Sequence, residues 1–382
     1  MRAAVALDVG RLEVQDLELA PPGPGEVLVR IAASGVCHSD LHALDGTLPV
    51  PLPTVLGHEG AGVVEACGEG VRRVAPGDHV VLSWVPSCGS CYYCRIGRPD
   101  MCDEAFAIQI QGSLPGGGMR LSGPQGPVYH FLGTSCLAEA AVVAERSVVR
   151  IAGDLPLDAA ALVGCAVTTG YGAVVHTAGV GKGASVAVLG LGGVGLSIVQ
   201  AARLRGAEPI IAVDRVAKKL ELARRFGATD VVDASATRDV VSPVLDLTGG
   251  RGADFAFEAV GRPATIEACY AMTRKAGMAV VVGIAAPHEE IRLNAFAIPA
   301  ASRVLTGSWY GRSRPEEDIP AILELYRAGR LDLDGLITRR YRLDEVREAF
   351  ADLERGELAR GVVVPKEAGV RTSADGPARA QV

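Results

Sequence analysis

The sequence predicts an α/β chain of two domains, a β-rich first domain followed by a parallel sheet covered on both faces by helices. Three observations point to it. Up to about residue 155 the chain consists of short apolar runs cut by turn residues. After about Asp158 the texture changes to alternating strands and helices. A glycine-rich turn, GLGGVG (190–195), then sits where one of these strands passes into a helix. At 382 residues the chain is long enough for two cores, and 49% apolar residues are enough to fill them.

In the first part VLVRIAAS (27–34), GAGVVEA (60–66) and DHVVLSWV (78–85) read as strands, and PPGPG, PLP and APGD as the breaks between them. Such short strands suit a small barrel or sandwich. In the second part SVAVLG (185–190) is a buried-strand run, and GLSIVQAARLRG follows with helical spacing. IIAVD (210–214) is the next strand, and AKKLELARRFG a helix ending at Gly227. DFAFEAVG and MAVVVG repeat the theme, which implies a parallel sheet. From about residue 304 two helices (PEEDIPAILELYRAG and LDEVREAFADLERG) and a strand-like GVVVP match neither pattern alone, leaving room for a return to the first domain. The divisions read from the sequence are 1–158, 159–303 and 304–366. The tail 367–382 is small, polar and aperiodic, and reads as disordered.

A net charge of −6 without a basic stretch argues against nucleic acid as a partner. Asp8, Arg11 and Glu13 interrupt the N-terminal apolar residues, so no signal peptide is read, and no apolar run reaches membrane-spanning length. The expectation is a soluble cytoplasmic protein. There, nine cysteines, an odd number and partly clustered, point to metal rather than disulfides.

Gly190, Gly192 and Gly195 form G-x-G-x-x-G between a strand and a helix. These glycines allow a tight turn, close approach of a pyrophosphate and close helix packing, with the helix N-terminus attracting the phosphates. Asp214, ending the next strand, is placed to bind both hydroxyls of an adenosine ribose, which favours NAD over NADP; Arg215 beside it tempers that preference. Cys88, Cys91, Cys94 and Cys102 are spaced C-x2-C-x2-C-x7-C, the pattern of a closed tetrahedral zinc site that cannot bind substrate. An iron–sulfur cluster is the competing reading, but no second cluster motif supports it, and zinc is preferred. The chemistry is then sought in GVCHSDLH (35–42), GHEGAGVV (57–64) and VGCAVTTGYG (163–172), which contain Cys37, His58 and Cys165. Two thiolates and an imidazole would leave a fourth zinc position open for catalysis. Spacing alone does not pair them: Cys165 reads equally as a small core residue and His58 as a loop histidine.

GHEGAGVV, the four-cysteine loop, FLGTS (131–135), and GCAVTTGYG followed by GLGGVG resemble, in the same order, the zinc-dependent medium-chain alcohol dehydrogenases. The long segment 103–130 is similar to the branch of animal alcohol dehydrogenase and glutathione-dependent formaldehyde dehydrogenase. The resemblance implies a GroES-like catalytic domain plus a Rossmann doubly wound domain, with the last elements returning to the catalytic part. It implies NAD and two zinc ions per chain, a small alcohol or aldehyde as substrate, and a homodimer or homotetramer. Cys37, His58 and Cys165 then resemble the catalytic zinc ligands. Glu59 resembles the carboxylate that can approach that metal, and Asp40 the partner of a ligating histidine. Ser39 resembles the hydroxyl that takes the substrate's proton, and His42 the outer base that delivers it to solvent. His38 and Arg360 resemble pyrophosphate contacts, Thr169 and Val194 residues against the nicotinamide, and Trp84 and Leu132 pocket walls.

One departure bears on the substrate. Formaldehyde dehydrogenases place an arginine four positions after the last structural cysteine to receive a carboxylate of the glutathione adduct. Here that position is Phe106, and Arg120 is the one other candidate cation within 103–130. The reading is therefore an NAD-dependent zinc alcohol dehydrogenase acting on primary, especially aromatic, alcohols. A thiol-dependent formaldehyde dehydrogenase is the alternative, and a non-catalytic NAD- or zinc-binding module a further one.

Overall fold

The computed structural model describes residues 1–365, so the tail read as disordered, 367–382, lies outside the described residues. The chain divides into two compact units. One comprises 1–165, 314–329 and the residues from Leu333 onward; the other comprises 166–313 with 330–332.

The first unit is built around the long strand Glu26–Val36, whose Val27, Val29 and Ile31 alternate into a core with Val64, Val80 and Leu82. Antiparallel to it lie Gly60–Cys67, Ala140–Ala144 and Arg360–Val364. The last of these pairs in parallel with Ile337–Arg342, so the C-terminal segment completes the N-terminal sheet. A second sheet contains Arg2–Asp8, Arg11–Asp16, Thr54–Val55 and Gly126–His130. Segment 103–130 is not one long loop. Asp103 and Glu104 open a helix, Asp103–Gln111, which Gly112 closes in the left-handed conformation (φ 61°). Leu121–Gly123 and Gly126–His130 then form a hairpin.

The second unit holds six strands, all parallel: Val186–Leu189, Ile210–Asp214, Asp230–Asp233, Ala253–Glu258, Thr273–Val281 and Val304–Gly307. Counted in chain order they lie 3-2-1-4-5-6 across the sheet, the order of a doubly wound dinucleotide-binding domain, with the switch point between Val186–Leu189 and Ala253–Glu258.

The observed junctions differ from the sequence divisions at 158 and 303. Helix Leu157–Ala161 packs with the first unit, which runs to Cys165. Val304–Gly307 pairs with Thr273–Val281, so the second unit runs on to Ser313. Gln200 Nε2 donates to the Asp332 carbonyl (3.1 Å), and Asp332 N to Gln200 Oε1 (2.8 Å), which ties 330–332 to the second unit as well. Among the described residues no single helix is long and apolar enough to cross a membrane.

Candidate active site

Cys88, Cys91, Cys94 and Cys102 come together with their sulfurs all within 4.8 Å of one another. Backbone N–H groups of Ser90 and Cys91 point at the Cys88 sulfur (3.4 and 3.2 Å), and that of Cys88 at the Cys102 sulfur (3.2 Å). Burial works against the Cys88 thiolate, but those donors bring its pKa down to about 6. Burial and the neighbouring sulfurs push Cys94 up to about 12. Four sulfurs this close cannot all ionise without a cation among them, which is the donor chemistry of structural zinc.

The second cluster is assembled from three distant places. Cys37 is the N-cap of the helix His38–Asp45, His58 lies just before the strand Gly60–Cys67, and Cys165 ends the first unit after the turn Leu162–Gly164. All three are buried, with ligand atoms within 4.8 Å of one another. Zinc with Zn–S near 2.3 Å spaces tetrahedral ligands roughly 3.8 Å apart, so the three donors fit that metal and leave one corner open.

Asp40 arranges this cluster. It is fully buried; its Oδ1 accepts from Gly57 N (2.8 Å) and lies 3.2 Å from His58 Nδ1, while Oδ2 accepts from Cys37 N (3.3 Å). Nδ1 is thereby engaged, leaving Nε2 as the ligand atom. In the metal-free chain burial opposes a charge on His58, but Asp40 and Cys37 outweigh it and push the imidazole up to about 10. Cys37 is held well below the usual thiol range, chiefly by a hydrogen bond from Cys165 and also by the charges of Arg360 and His58. That same contact holds the Cys165 proton in place.

Ser39 is half-buried with Oγ 3.9 Å from the Cys37 sulfur. His38 is exposed and His42 half-buried, one turn apart with ring centroids 6.3 Å from each other. Trp84 presents an edge contact to His58 at 6.4 Å. Phe131, which the sequence reading passed over for its neighbour Leu132, contacts the same imidazole at 5.7 Å. Leu132 packs against the core that contains Leu56 and Phe131. Phe106 is half-buried on Asp103–Gln111, and Gln109 of that helix donates to the Trp84 carbonyl (3.2 Å).

Two cations occupy places the sequence did not suggest. Arg360 is buried rather than displayed on the surface: it forms a bidentate pair with the fully buried Glu59, Nε to Oε1 at 2.8 Å and Nη2 to Oε2. Glu59 fills the space beside Gly35, where a Cβ would overlap its carboxylate. Arg120 is bound to Glu26, with Nε to Oε2 at 2.6 Å and Nη2 to Oε1 at 3.2 Å, so it is not free to receive a substrate carboxylate.

In the second unit Gly190 follows its strand at φ 89°, and Gly192 caps the helix Gly193–Leu204. A Cβ on Gly195 would overlap the Gly190 carbonyl, whereas one on Gly192 would meet nothing within 4 Å. Gly192 therefore faces open space at a helix N-terminus, the cradle a pyrophosphate needs. Asp214 accepts from Leu191 N (2.7 Å) and Val216 N (2.9 Å), which fixes its carboxylate at the strand end. Lys219, also passed over, is buried on the next helix near Asp214, where burial pushes its ammonium down and the carboxylate opposes the shift. Its position in the first turn after an acid-ended strand is the signal that could have found it. Thr169 and Val194 lie on helices in close contact, because Gly170 leaves room for the Val194 carbonyl, 2.6 Å from where a Cβ would stand.

Fold and site together define an oxidoreductase of the zinc- and nicotinamide-dependent class. The description "Alcohol dehydrogenase GroES-like domain" matches residues 23–153, and "Zinc-binding dehydrogenase" matches 193–328. The chain is 40% identical to the S-(hydroxymethyl)glutathione dehydrogenase of Saccharomyces cerevisiae, over 96% of each chain. It is also 40% identical to the NDMA-dependent alcohol dehydrogenase of Amycolatopsis methanolica, over 95% of this chain and 98% of the other. The crystal structure of benzyl alcohol dehydrogenase from Acinetobacter calcoaceticus superposes with a TM-score of 0.89 at 35% identity, covering 95% and 98% of the two chains. The chain belongs to the zinc-dependent medium-chain alcohol dehydrogenase family, whose members use zinc and NAD.

Proposed function

We propose that this protein oxidises primary alcohols, aromatic ones above all, or reduces the corresponding aldehydes, at Cys37, His58 and Cys165. The observation that carries the reading is that buried three-donor cluster with Ser39 beside it and the rings of Trp84 and Phe131 against His58. When bound, zinc there supplies Lewis-acid polarisation of the substrate oxygen, and NAD supplies the hydride acceptor. The chain's own residues do the rest. Ser39 Oγ receives the hydroxyl proton, and His42, one turn along the helix, passes it to solvent. Asp40 holds the His58 tautomer. Trp84, Phe131 and Phe106 exclude water and offer aromatic surface. Cys88, Cys91, Cys94 and Cys102 hold the second zinc as a folding element. Gly190, Gly192, Gly195, Asp214, Thr169 and Val194 form the coenzyme side, and His38 its phosphate contact. The family resemblance assigns Arg360 a pyrophosphate contact as well, although two of its three guanidinium nitrogens are engaged with Glu59.

The similarity to an S-(hydroxymethyl)glutathione dehydrogenase favours a second reading, oxidation of a thiol–formaldehyde adduct. Phe106 in place of a cation and the commitment of Arg120 to Glu26 count against it, because a carboxylate buried without a partner is costly. The test follows reduced-nicotinamide absorbance with benzyl alcohol and with formaldehyde, each with and without added glutathione. Thiol-independent turnover of benzyl alcohol supports the first reading; a large thiol-dependent rate confined to formaldehyde overturns it.

The assembly is proposed to be a homodimer or homotetramer. Val304–Gly307 is an edge strand of the described parallel sheet, and Phe296 (80% exposed), Ile298 and Val304 present apolar surface near it. The place of action is proposed to be the cytoplasm, where nine free thiols stay reduced.

A further inference from the structure

Glu258 ends the strand Ala253–Glu258 at the switch point of the parallel sheet and is fully buried. Among the described residues no cation pairs with it, unlike Glu59. Its Oε1 instead accepts three hydrogen bonds, from Val260 N (2.8 Å), Gly261 N (2.7 Å) and Thr265 Oγ1 (2.7 Å). Oε2 is buried without a hydrogen-bond partner among the described residues. The Glu258 carbonyl accepts from Val282 N (2.8 Å) and Gly283 N (3.0 Å), and Ala259 N donates to the Leu189 carbonyl (2.8 Å). Glu258 and Ala259 together thus join the C-terminal ends of three adjacent strands.

What it holds in place is the turn 259–262. That turn leans on Gly190: a Cβ there would come within 2.5 Å of Val260 Cγ2 and 3.1 Å of the Ala259 carbonyl. Val260 is 42% exposed, so its side chain forms part of the surface beside the glycine-rich turn. On the other side Gly261 (φ 83°) and Gly283 lack Cβ atoms where Ile284 and the Glu258 carboxyl pack against them. A buried acid with no cation is a costly choice for packing alone, and burial does push its carboxyl up from the usual carboxylate range. An apolar residue would fill the space but would leave the Val260 and Gly261 N–H groups without their acceptor and the Thr265 hydroxyl with the Arg262 carbonyl alone (2.8 Å).

We propose that Glu258 is a positioning residue for coenzyme binding, fixing Val260 and the 259–262 turn against Gly190 so that the dinucleotide crevice is formed before NAD arrives. The inference rests on the proposed coenzyme site at Gly190–Gly195. In E258L the turn is released and its ordering falls to the binding step. NAD affinity is then expected to fall about tenfold, or about 1.4 kcal/mol, with kcat at saturating NAD nearly unchanged. E258Q keeps an acceptor oxygen at the same place and is expected to bind within about twofold of wild type.

The experiment is a titration of NAD into the purified full chain, followed by isothermal calorimetry, for wild type, E258L, E258Q, V260G and G192V, with thermal unfolding recorded alongside. Weakened binding in E258L with rescue in E258Q supports the proposal. Unchanged affinity in folded E258L, lower stability notwithstanding, overturns it. If E258L does not fold, V260G decides, since it leaves the Glu258 hydrogen bonds intact: severalfold weaker binding supports the proposal, and wild-type binding overturns it. G192V separates the two claims. Its side chain enters the open cradle and should abolish binding, and wild-type affinity in G192V would reject the coenzyme site itself.

Discussion

Replacing Asp40 by Ala removes the one group that joins Cys37, Gly57 and His58. Two backbone donors, Gly57 N and Cys37 N, lose their acceptor in a region without solvent access. An unsatisfied buried N–H costs about 1–3 kcal/mol, so D40A should lower stability by on the order of 2–6 kcal/mol, read as urea unfolding of the zinc-loaded protein. Releasing His58 Nδ1 also frees the ring, and loss of such a partner lowers metal affinity by roughly 10–100-fold. D40N tests the division between these effects. Its carbonyl oxygen can still accept from Gly57 N and His58 Nδ1–H, but its amide N–H2 would face the Cys37 N–H, donor against donor. D40N should therefore fall between wild type and D40A in both stability and zinc retention. The assay is competition with a chromogenic chelator, which resolves the half-buried four-cysteine site from the fully buried one by rate. Wild-type retention of the slowly released zinc in D40A would refute the role given to Asp40.

Other expectations follow from the same geometry. His58 in the metal-free chain is raised to about 10 from an ordinary 6.5, a shift that adds stability below pH 6.5 and loses it as pH climbs toward 10. Zinc must displace that proton, so the Tm gap between zinc-loaded and chelated protein should widen over this range. G35A would drive a methyl group into Glu59 and should cost about 1–3 kcal/mol of stability, checked by thermal unfolding; an unchanged Tm would show that the Glu59–Arg360 pair can move aside. D214G should shift preference from NAD toward NADP, measured as the ratio of kcat/KM values, and a wild type that already prefers NADP would reject the reading of Asp214.

How much was legible in the sequence depended on how locally each feature is encoded. The four cysteines lie within fifteen positions, and the glycine turn comes with its own strand and helix, so each could be read alone. Cys37, His58 and Cys165 occupy an N-cap, a loop and a helix junction, and only resemblance could pair them. The helix Ala166–Gly172 was missed because its two glycines argue against a helix, yet Gly170 and Gly172 are there to let the Val194 and Gly311 carbonyls approach. No helix was read within segment 103–130, although Asp103 and Glu104 mark a helix start, because the preceding cysteine is not a usual cap. The Glu59–Arg360 pair joins residues at opposite ends of the chain and leaves no local pattern at all.

The proposed division of labour gives the four-cysteine site the fold and the Cys37, His58 and Cys165 site the chemistry. Zinc per chain in folded C165S, measured by mass spectrometry beside benzyl alcohol turnover, tests it most directly. One zinc, a near-native unfolding transition and no turnover are expected, with C91S by contrast losing stability. Two zinc ions with retained turnover in C165S would contradict it.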